Sequence, residues 1–574
     1  MNKLLRELTK YRIGIIIVLV LTLFRAFSEL YLPNLMSDIV DVGIMENNRS
    51  YMLQLGAWMI AIAAFGTVCA ILSSYYSARI AAGFGRDIRE NMFQKVESFA
   101  LEEVNSLGTS SLINRTTNDI NQVQQVTIMI LRMVAFAPMM CIGGIIMAVS
   151  KNAKLSLVFV VVIPVLALVI FSIMKKGVPL FKLLQKKLDQ LNSVLRENLT
   201  GLRVIRSFNK EKYEQKRFWQ ANKDLTETAL HVNKIMAITM PIMIVVINIS
   251  TVAIIWFGGV QVDQGMMQVG DIMAFIQYGM QIMFSLMMVS MIFVMMPRAS
   301  ASAERINEVL HMPASIIDED SGDQKPIKGE IEFKNVVFSY PQAEKPVLEN
   351  LSFKIKPGQT TAIIGGTGSG KSTILNLIAR FYDIQAGEIL IDGINIREFK
   401  QDALRQTLGF VPQKAVLFSG TIAENIRFGK EDATDEEVDK ALDVAQAKEF
   451  VANFSKGINA PISQGGTNVS GGQKQRLSIA RALVRKPLMY LFDDSFSALD
   501  YRTDAALRNA LQKEIGDATI VIVAQRVSTI KDADHIIVLE DGKIAGVGTH
   551  HQLVETCEVY KEIVYSQGVM EETV

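Results

Sequence analysis

Polarity divides this chain of 574 residues into two unlike parts. Up to about residue 300, long apolar runs recur at about 12–35, 54–77, 128–150, 155–174, 235–258 and 271–296. Each is close to the roughly 20 residues a helix needs to cross bilayer hydrocarbon. The polar stretches between them, about 78–127 and 175–234, keep a helical composition, so the spans are expected to continue beyond the bilayer as long helices. A Pro-, Ser- and acid-rich segment, His311 to Gly329, reads as a linker. Beyond it the apolar runs shorten and polarity becomes mixed, as in a water-soluble domain. The expected division is a membrane domain over 1–310, a linker over 311–329 and a soluble domain over 330–574. The first run follows Lys3, Arg6 and Lys10, but it is too long for a signal peptide and lacks a small-residue cleavage site, so it reads as a retained span.

Charge gives these spans an orientation. The stretch 175–234 carries fourteen Lys and Arg residues, whereas the turn 259–270 has none, which assigns the former to the cytoplasm. Six spans then leave both termini and the soluble domain on the cytoplasmic side. A net charge of +1 gives no reason to expect a nucleic-acid partner. Cys69, Cys141 and Cys557 stand too far apart in sequence to suggest a zinc site or a disulfide framework.

The soluble part contains Gly365-Gly366-Thr367-Gly368-Ser369-Gly370-Lys371-Ser372, a complete G-x-x-x-x-G-K-[ST] pattern, followed by Thr373. It lies between an apolar strand-like run and a helix-like run, as a phosphate-binding loop requires. Glycines let backbone amides approach phosphates, Lys371 supplies positive charge, and the Ser372 hydroxyl suits Mg2+ at a helix N-terminus whose dipole favours anions. Downstream, Ser470-Gly471-Gly472-Gln473 opens a helix with Ser470 as its N-cap. The run Leu488 to Phe492 then delivers Asp493, a carboxylate suited to the metal. ATP and Mg2+ are the expected cofactors, and the fold class is an α-helical transmembrane domain followed by an α/β P-loop nucleotide-binding domain.

This ordered set resembles the ATP-binding cassette, and with six preceding spans the chain resembles a half-transporter of the ABC exporter family. The resemblance implies that Tyr340 stacks on adenine and that Gln413 contacts Mg2+ and the attacking water. It also implies that Ser497 to Asp500 crosses a dimer interface, and that residues 470–473 close over ATP held by a second cassette. Two positions depart from the pattern. Asp494 stands where the family has a general-base Glu, and Gln525 where it has a His. A shorter carboxylate and an amide that cannot become a cation both weaken support for phosphoryl transfer. Together they resemble the degenerate-site subunit of bacterial heterodimeric exporters, which pairs with a half-transporter carrying the usual Glu and His. The function so implied is ATP-driven multidrug-type export across the bacterial inner membrane. Lipid or peptide export, or an ATP-gated regulatory role, would use the same framework.

By the same resemblance, short coupling helices are expected near Ser110–Asn114 and Asn209–Glu214. Charged residues are nearly absent from the spans, which favours a small apolar or amphipathic substrate. Met280, Met283, Met287, Met291 and Met295, with Gln277, Gln281 and Ser285, recur at helical spacing in the last span. They suit either a ligand-accepting surface or helix packing.

Overall fold

All six apolar runs form helices, and every one is longer than a bilayer requires. The computed structural model describes residue 4 and residues 6–318, 328–341 and 343–568, apart from the side chains of 290–294. In chain order the first part comprises α1 (Arg6–Ile44), α2 (Arg49–Glu97), a short α3 (Leu101–Leu107), α4 (Thr109–Lys151), α5 (Leu157–Thr200), a short α6 (Leu202–Ser207), α7 (Glu211–Asp263) and α8 (Val269–His311). The polar stretches 78–97 and 175–200 are the continuations of α2 and α5, as their composition predicts. The most apolar windows of α2 and α5 are only 11% buried, so most of that surface needs lipid or another subunit to cover it.

Two ionic clusters tie helices together, one joining α1, α4 and α8 and the other joining α4 and α8. At one end, Asp41 accepts from the Gly270 amide at 2.6 Å, Ser37 donates to Asp271 at 3.0 Å, and Lys151 pairs with Asp271 at 2.8 Å. At the other end, the buried carboxylate of Asp119 accepts from Ser302 at 2.9 Å and from Arg305 Nε at 2.7 Å, while Arg115 pairs with Glu308 at 2.7 Å. Proline occurs inside several of these helices, which membrane helices tolerate when a neighbour satisfies the carbonyl that loses its partner. At Pro33 that neighbour can be named. The Glu29 carbonyl, four residues earlier, accepts from Gln281 Nε2 of α8 at 3.0 Å.

The chain separates into two compact units, residues 1–97 with 109–312, and residues 98–108 with 313–574. Helix α3 therefore belongs with the cassette. Its Asn105 donates to the Tyr382 hydroxyl at 3.0 Å, and the Ser315 amide donates to buried Glu103 at 2.5 Å. This corrects the expected position of the first short helix. Ala100 is extended and Gly108 has φ +75°, isolating 101–107, whereas Ser110–Asn114 runs unbroken into α4. The second short helix is likewise 202–207, set off by Gly201 and by Asn209 at φ +51°, while 211–214 opens α7. Residues 313–318, expected as linker, pack on the cassette: Ile316 is buried and Asp318 accepts from Gln401. The expected linker residues 319–327 lie outside the described residues.

The cassette is built on two main sheets, with a small antiparallel pair of β7 (Gly420–Thr421) and β8 (Pro461–Ile462) beside them. An antiparallel sheet has the order β2 (Leu348–Ile355), β1 (Ile331–Phe338), β4 (Ala386–Ile391), β5 (Ile394–Asn395). A six-stranded sheet runs β12 (Lys543–Gly548), β11 (His535–Glu540), β3 (Thr360–Gly365), β10 (Thr519–Val523), β9 (Met489–Asp493), β6 (Leu408–Val411), with only β12 antiparallel. Strands β9 and β10 are buried throughout. Alternate residues serve the two faces, with Tyr490 and Phe492 in one apolar cluster and Met489 and Leu491 in the other. That accounts for their continuous apolar sequence.

Candidate nucleotide site

Four neighbouring parallel strands end side by side, and each end delivers one part of a site. β3 leads into the loop 365–370, β10 into Gln525, β9 into Asp493 and Asp494, and β6 into Gln413. The C-terminal edge of a parallel sheet is where such folds bind ligands. Glycine is required in the loop for two distinct reasons. A Cβ on Gly365 would lie 2.2 Å from the Leu539 carbonyl oxygen of the adjacent strand, and Gly370 has φ +93° with Leu348 only 2.4 Å from a would-be Cβ. Lys371 is 9% exposed and opens α9 (Lys371–Ile378), with its ammonium donating to the Gly365 and Gly366 carbonyls at 2.9 and 2.7 Å. Ser369 is buried, its Oγ without a partner among the described residues.

The Ser372 hydroxyl donates to Asp493 at 2.7 Å. Thr373 shares a hydrogen bond of 3.0 Å with the Tyr340 hydroxyl, and the Tyr340 ring stands edge-on to Phe338 and Tyr382. Burial lowers the Lys371 ammonium below its usual pKa, opposed by Asp494 and Asp493. Burial also raises Asp493, reinforced by Asp494 and opposed by Ser372 and Lys371. Among the described residues no cluster of three His, Cys, Asp or Glu side chains could hold a metal. Ser372 and Asp493 nevertheless offer adjacent oxygens, the donor type Mg2+ prefers when substrate phosphates complete its shell.

Asp494 is the structural centre of the remaining contacts. It is 8% exposed and has φ +45°, a left-handed conformation that costs a non-glycine residue on the order of 1 kcal/mol. Its Oδ2 accepts from Gln525 Nε2 at 2.9 Å and from Gln413 Nε2 at 3.2 Å. The phosphate loop, Asp493, Asp494, Gln413 and Gln525 are thus brought together at one edge of the sheet. Ser470, Gly471, Gly472 and Gln473 are not part of this network. Ser470 and Gln473 cap α10 (Gly471–Val484) reciprocally, at 2.9 and 3.3 Å, and Ser470 and Gly471 are exposed. One contributor escaped the sequence reading: buried Gln475 donates to the Pro412 carbonyl at 3.2 Å, bracing the backbone before Gln413. Its signal is an amide at a position on α10 that the fold buries.

Residues 15–286 match the family model of the ABC transporter transmembrane region, and residues 348–497 that of the ABC transporter. A Mycobacterium tuberculosis protein described as an uncharacterized ABC transporter ATP-binding protein is 42% identical over 99% of this chain and 98% of its own. This chain belongs to the ABC transporter family. It has the half-transporter arrangement, six membrane-spanning helices fused to one ATP-binding cassette. The Bacillus subtilis ABC transporter ATP-binding protein YfiB, also uncharacterized, is 38% identical over 99% of this chain and 98% of its own. A bacterial Atm1-family ABC exporter, solved with ATP bound, superposes with a TM-score of 0.83 at 25% identity, covering 98% of this chain and 99% of that one. The cassette is an ATPase domain that binds ATP, the protein is a multi-pass membrane protein, and ABC half-transporters act as dimers.

Proposed function

We propose that this ABC half-transporter exports small amphipathic compounds across a bacterial inner membrane, paired with a different half-transporter, and that its own ATP site hydrolyses slowly. Both termini and the cassette lie in the cytoplasm in this reading. The carrying observation is the environment of Asp494. Its short carboxylate is held through one oxygen by two neutral amides, Gln413 and Gln525. Neither amide can accept and return a proton as a general acid–base group does. Loss of such help costs roughly a hundredfold to ten-thousandfold in rate. Binding should not suffer in the same way, because Lys371, the glycine-rich loop, Ser372 and Asp493 keep the residue types that phosphates and Mg2+ require.

The division of labour follows from residues 470–473. With Ser470 and Gly471 exposed at a helix N-terminus, they serve the phosphates of the partner's nucleotide, so this chain lends an intact signature to a partner carrying the usual Glu and His. Helix α3, bound to the cassette through Asn105 and Glu103, relays nucleotide-driven movement to the helices on either side of it. The test compares ATPase activity of the purified chain with that of its complex with a half-transporter bearing Glu and His, and measures ATP-driven dye movement in vesicles holding both. Rapid turnover by the chain alone would overturn the slow-site assignment and favour a homodimer.

A further inference from the structure

The spans are less free of charge than their overall polarity indicates. Arg25 and Glu29 lie inside the first apolar run and Arg132 inside the third. Arg25 stands 12 residues before Ser37 of the ionic cluster at one end of the bundle, about 18 Å along the helix. That is near mid-depth in hydrocarbon about 30 Å thick. Arg25 Nε donates to Glu29 Oε1 at 2.9 Å, and its guanidinium carbon sits 4.1 Å from the centre of the Phe136 ring. The remaining N–H groups of Arg25 have no partner among the described residues. The side chains are 33% and 38% exposed, and a charged pair does not face hydrocarbon at this depth.

The location is fixed by the Pro33 break. Gln281 Nε2 satisfies the Glu29 carbonyl that Pro33 cannot, which holds this turn of α1 against α8, and Gln281 Oε1 is buried without a partner. Alongside Gln281 on α8, Met273, Gln277, Met280 and Phe284 form an exposed stripe, while Met283 and Ser285 of the same helix are buried. Among the described side chains, which exclude that of Met291, the methionine pattern therefore splits into a packing face and an open face. The open face is apolar with one amide, and it borders the turn that carries the charged pair.

We infer that Arg25, set against Phe136 and moderated by Glu29, binds the acidic head group of an amphipathic substrate whose apolar body lies on the Met273–Phe284 stripe. Donors decide the sign. Arg25 keeps several N–H groups in a fixed fork suited to a carboxylate, sulfonate or phosphate, whereas Glu29 already shares one oxygen with it. Glu29 is then a competitor for the substrate anion as well as an anchor for the guanidinium.

This inference rests on the exporter reading, so its test avoids nucleotide. The full chain, in nanodiscs of neutral phosphatidylcholine, is titrated with two fluorescent amphiphiles of identical body, one ending in a sulfonate and the other in a trimethylammonium group. The sulfonate should bind about tenfold more tightly, the scale of one desolvated charge contact. Arg25→Gln should remove that preference and Arg25→Lys should keep most of it. Glu29→Gln, which frees Arg25, should strengthen sulfonate binding severalfold, and it decides the matter if Arg25→Gln does not fold. Equal affinities in the unaltered chain, a preference that survives Arg25→Gln, or weaker sulfonate binding in Glu29→Gln would each overturn the inference. Absence of preference together with loss of dimers in Arg25→Gln would identify the pair as a subunit contact instead. Failure of ATP-driven dye movement with these preferences intact would reject the exporter reading alone.

Discussion

Asp494 and Gln525 form a matched pair, and restoring one without the other leaves the site incomplete. Glu at 494 would extend the carboxylate by a methylene, and His at 525 would place an ionisable group at the end of β10. The double variant Asp494→Glu/Gln525→His should raise ATP turnover of the purified chain by roughly tenfold or more, since positioned acid–base groups contribute about a hundredfold or more, with each single variant well below it. Steady-state ATPase assays of the three variants check this, and a double variant no faster than the unaltered chain would refute it. Asp493 leads to a different expectation. Burial raises its pKa, so folding disfavours its charged form relative to an exposed carboxylate. Its stabilising contribution is complete below the ordinary carboxylate range and is lost as pH rises through the raised value. At neutral pH the buried charge beside Asp494 is therefore a cost. Asp493→Asn should stabilise the nucleotide-free protein by on the order of 1 kcal/mol, read as a higher Tm, while removing the further stabilisation that Mg-ATP confers. A lowered Tm in the absence of nucleotide would contradict this.

At the scale of elements, the Pro33 break offers a clean energetic test. Gln281→Leu leaves the Glu29 carbonyl without a donor in a low-dielectric setting, costing about 1–2 kcal/mol. Pro33→Ala returns a backbone N–H to that carbonyl. The loss from Gln281→Leu should therefore shrink when both changes are present, and a double-mutant cycle on thermal stability measures the coupling. Helix α3 permits a functional counterpart. Asn105→Ala deletes its bond to Tyr382 and should reduce transport while leaving ATP hydrolysis largely intact; equal loss of both would argue against a relay role.

These elements also show what the sequence made legible. Span positions were readable because about twenty apolar residues in succession permit few alternatives, and the loop 365–372 because each of its residues has a separate steric or electrostatic duty. The short helices were placed some residues too late. Their limits depend on an extended Ala100 and on positive φ at Gly108 and Asn209, which local composition does not reveal. The Arg25–Glu29 pair was overlooked because averaging over a long apolar run conceals two charges that neutralise each other.

For the whole molecule, the proposed division of labour predicts an unexpected order of mutational effects. Ser470→Arg in this chain should abolish most ATPase activity of the assembled heterodimer, because the exposed signature serves the other subunit's nucleotide. Asp494→Asn, although it alters the residue next to the proposed metal ligand, should slow the complex only modestly. Both are compared at saturating ATP after assembly is verified, and the reverse order would place the main hydrolytic site in this chain. The length of α2 has a mechanical consequence. Its 49 residues extend about 74 Å, of which about 30 Å suffices for hydrocarbon. The rest is a stiff lever arm in water. Over the roughly 30 Å of residues 78–97 a tilt of about 5° displaces the far end by roughly 2–3 Å, about the width of one hydrogen-bonded contact. Shifts at the nucleotide no larger than the making or breaking of a single such contact are thus matched in size to a small reorientation of the spans, with no need for any helix to unfold.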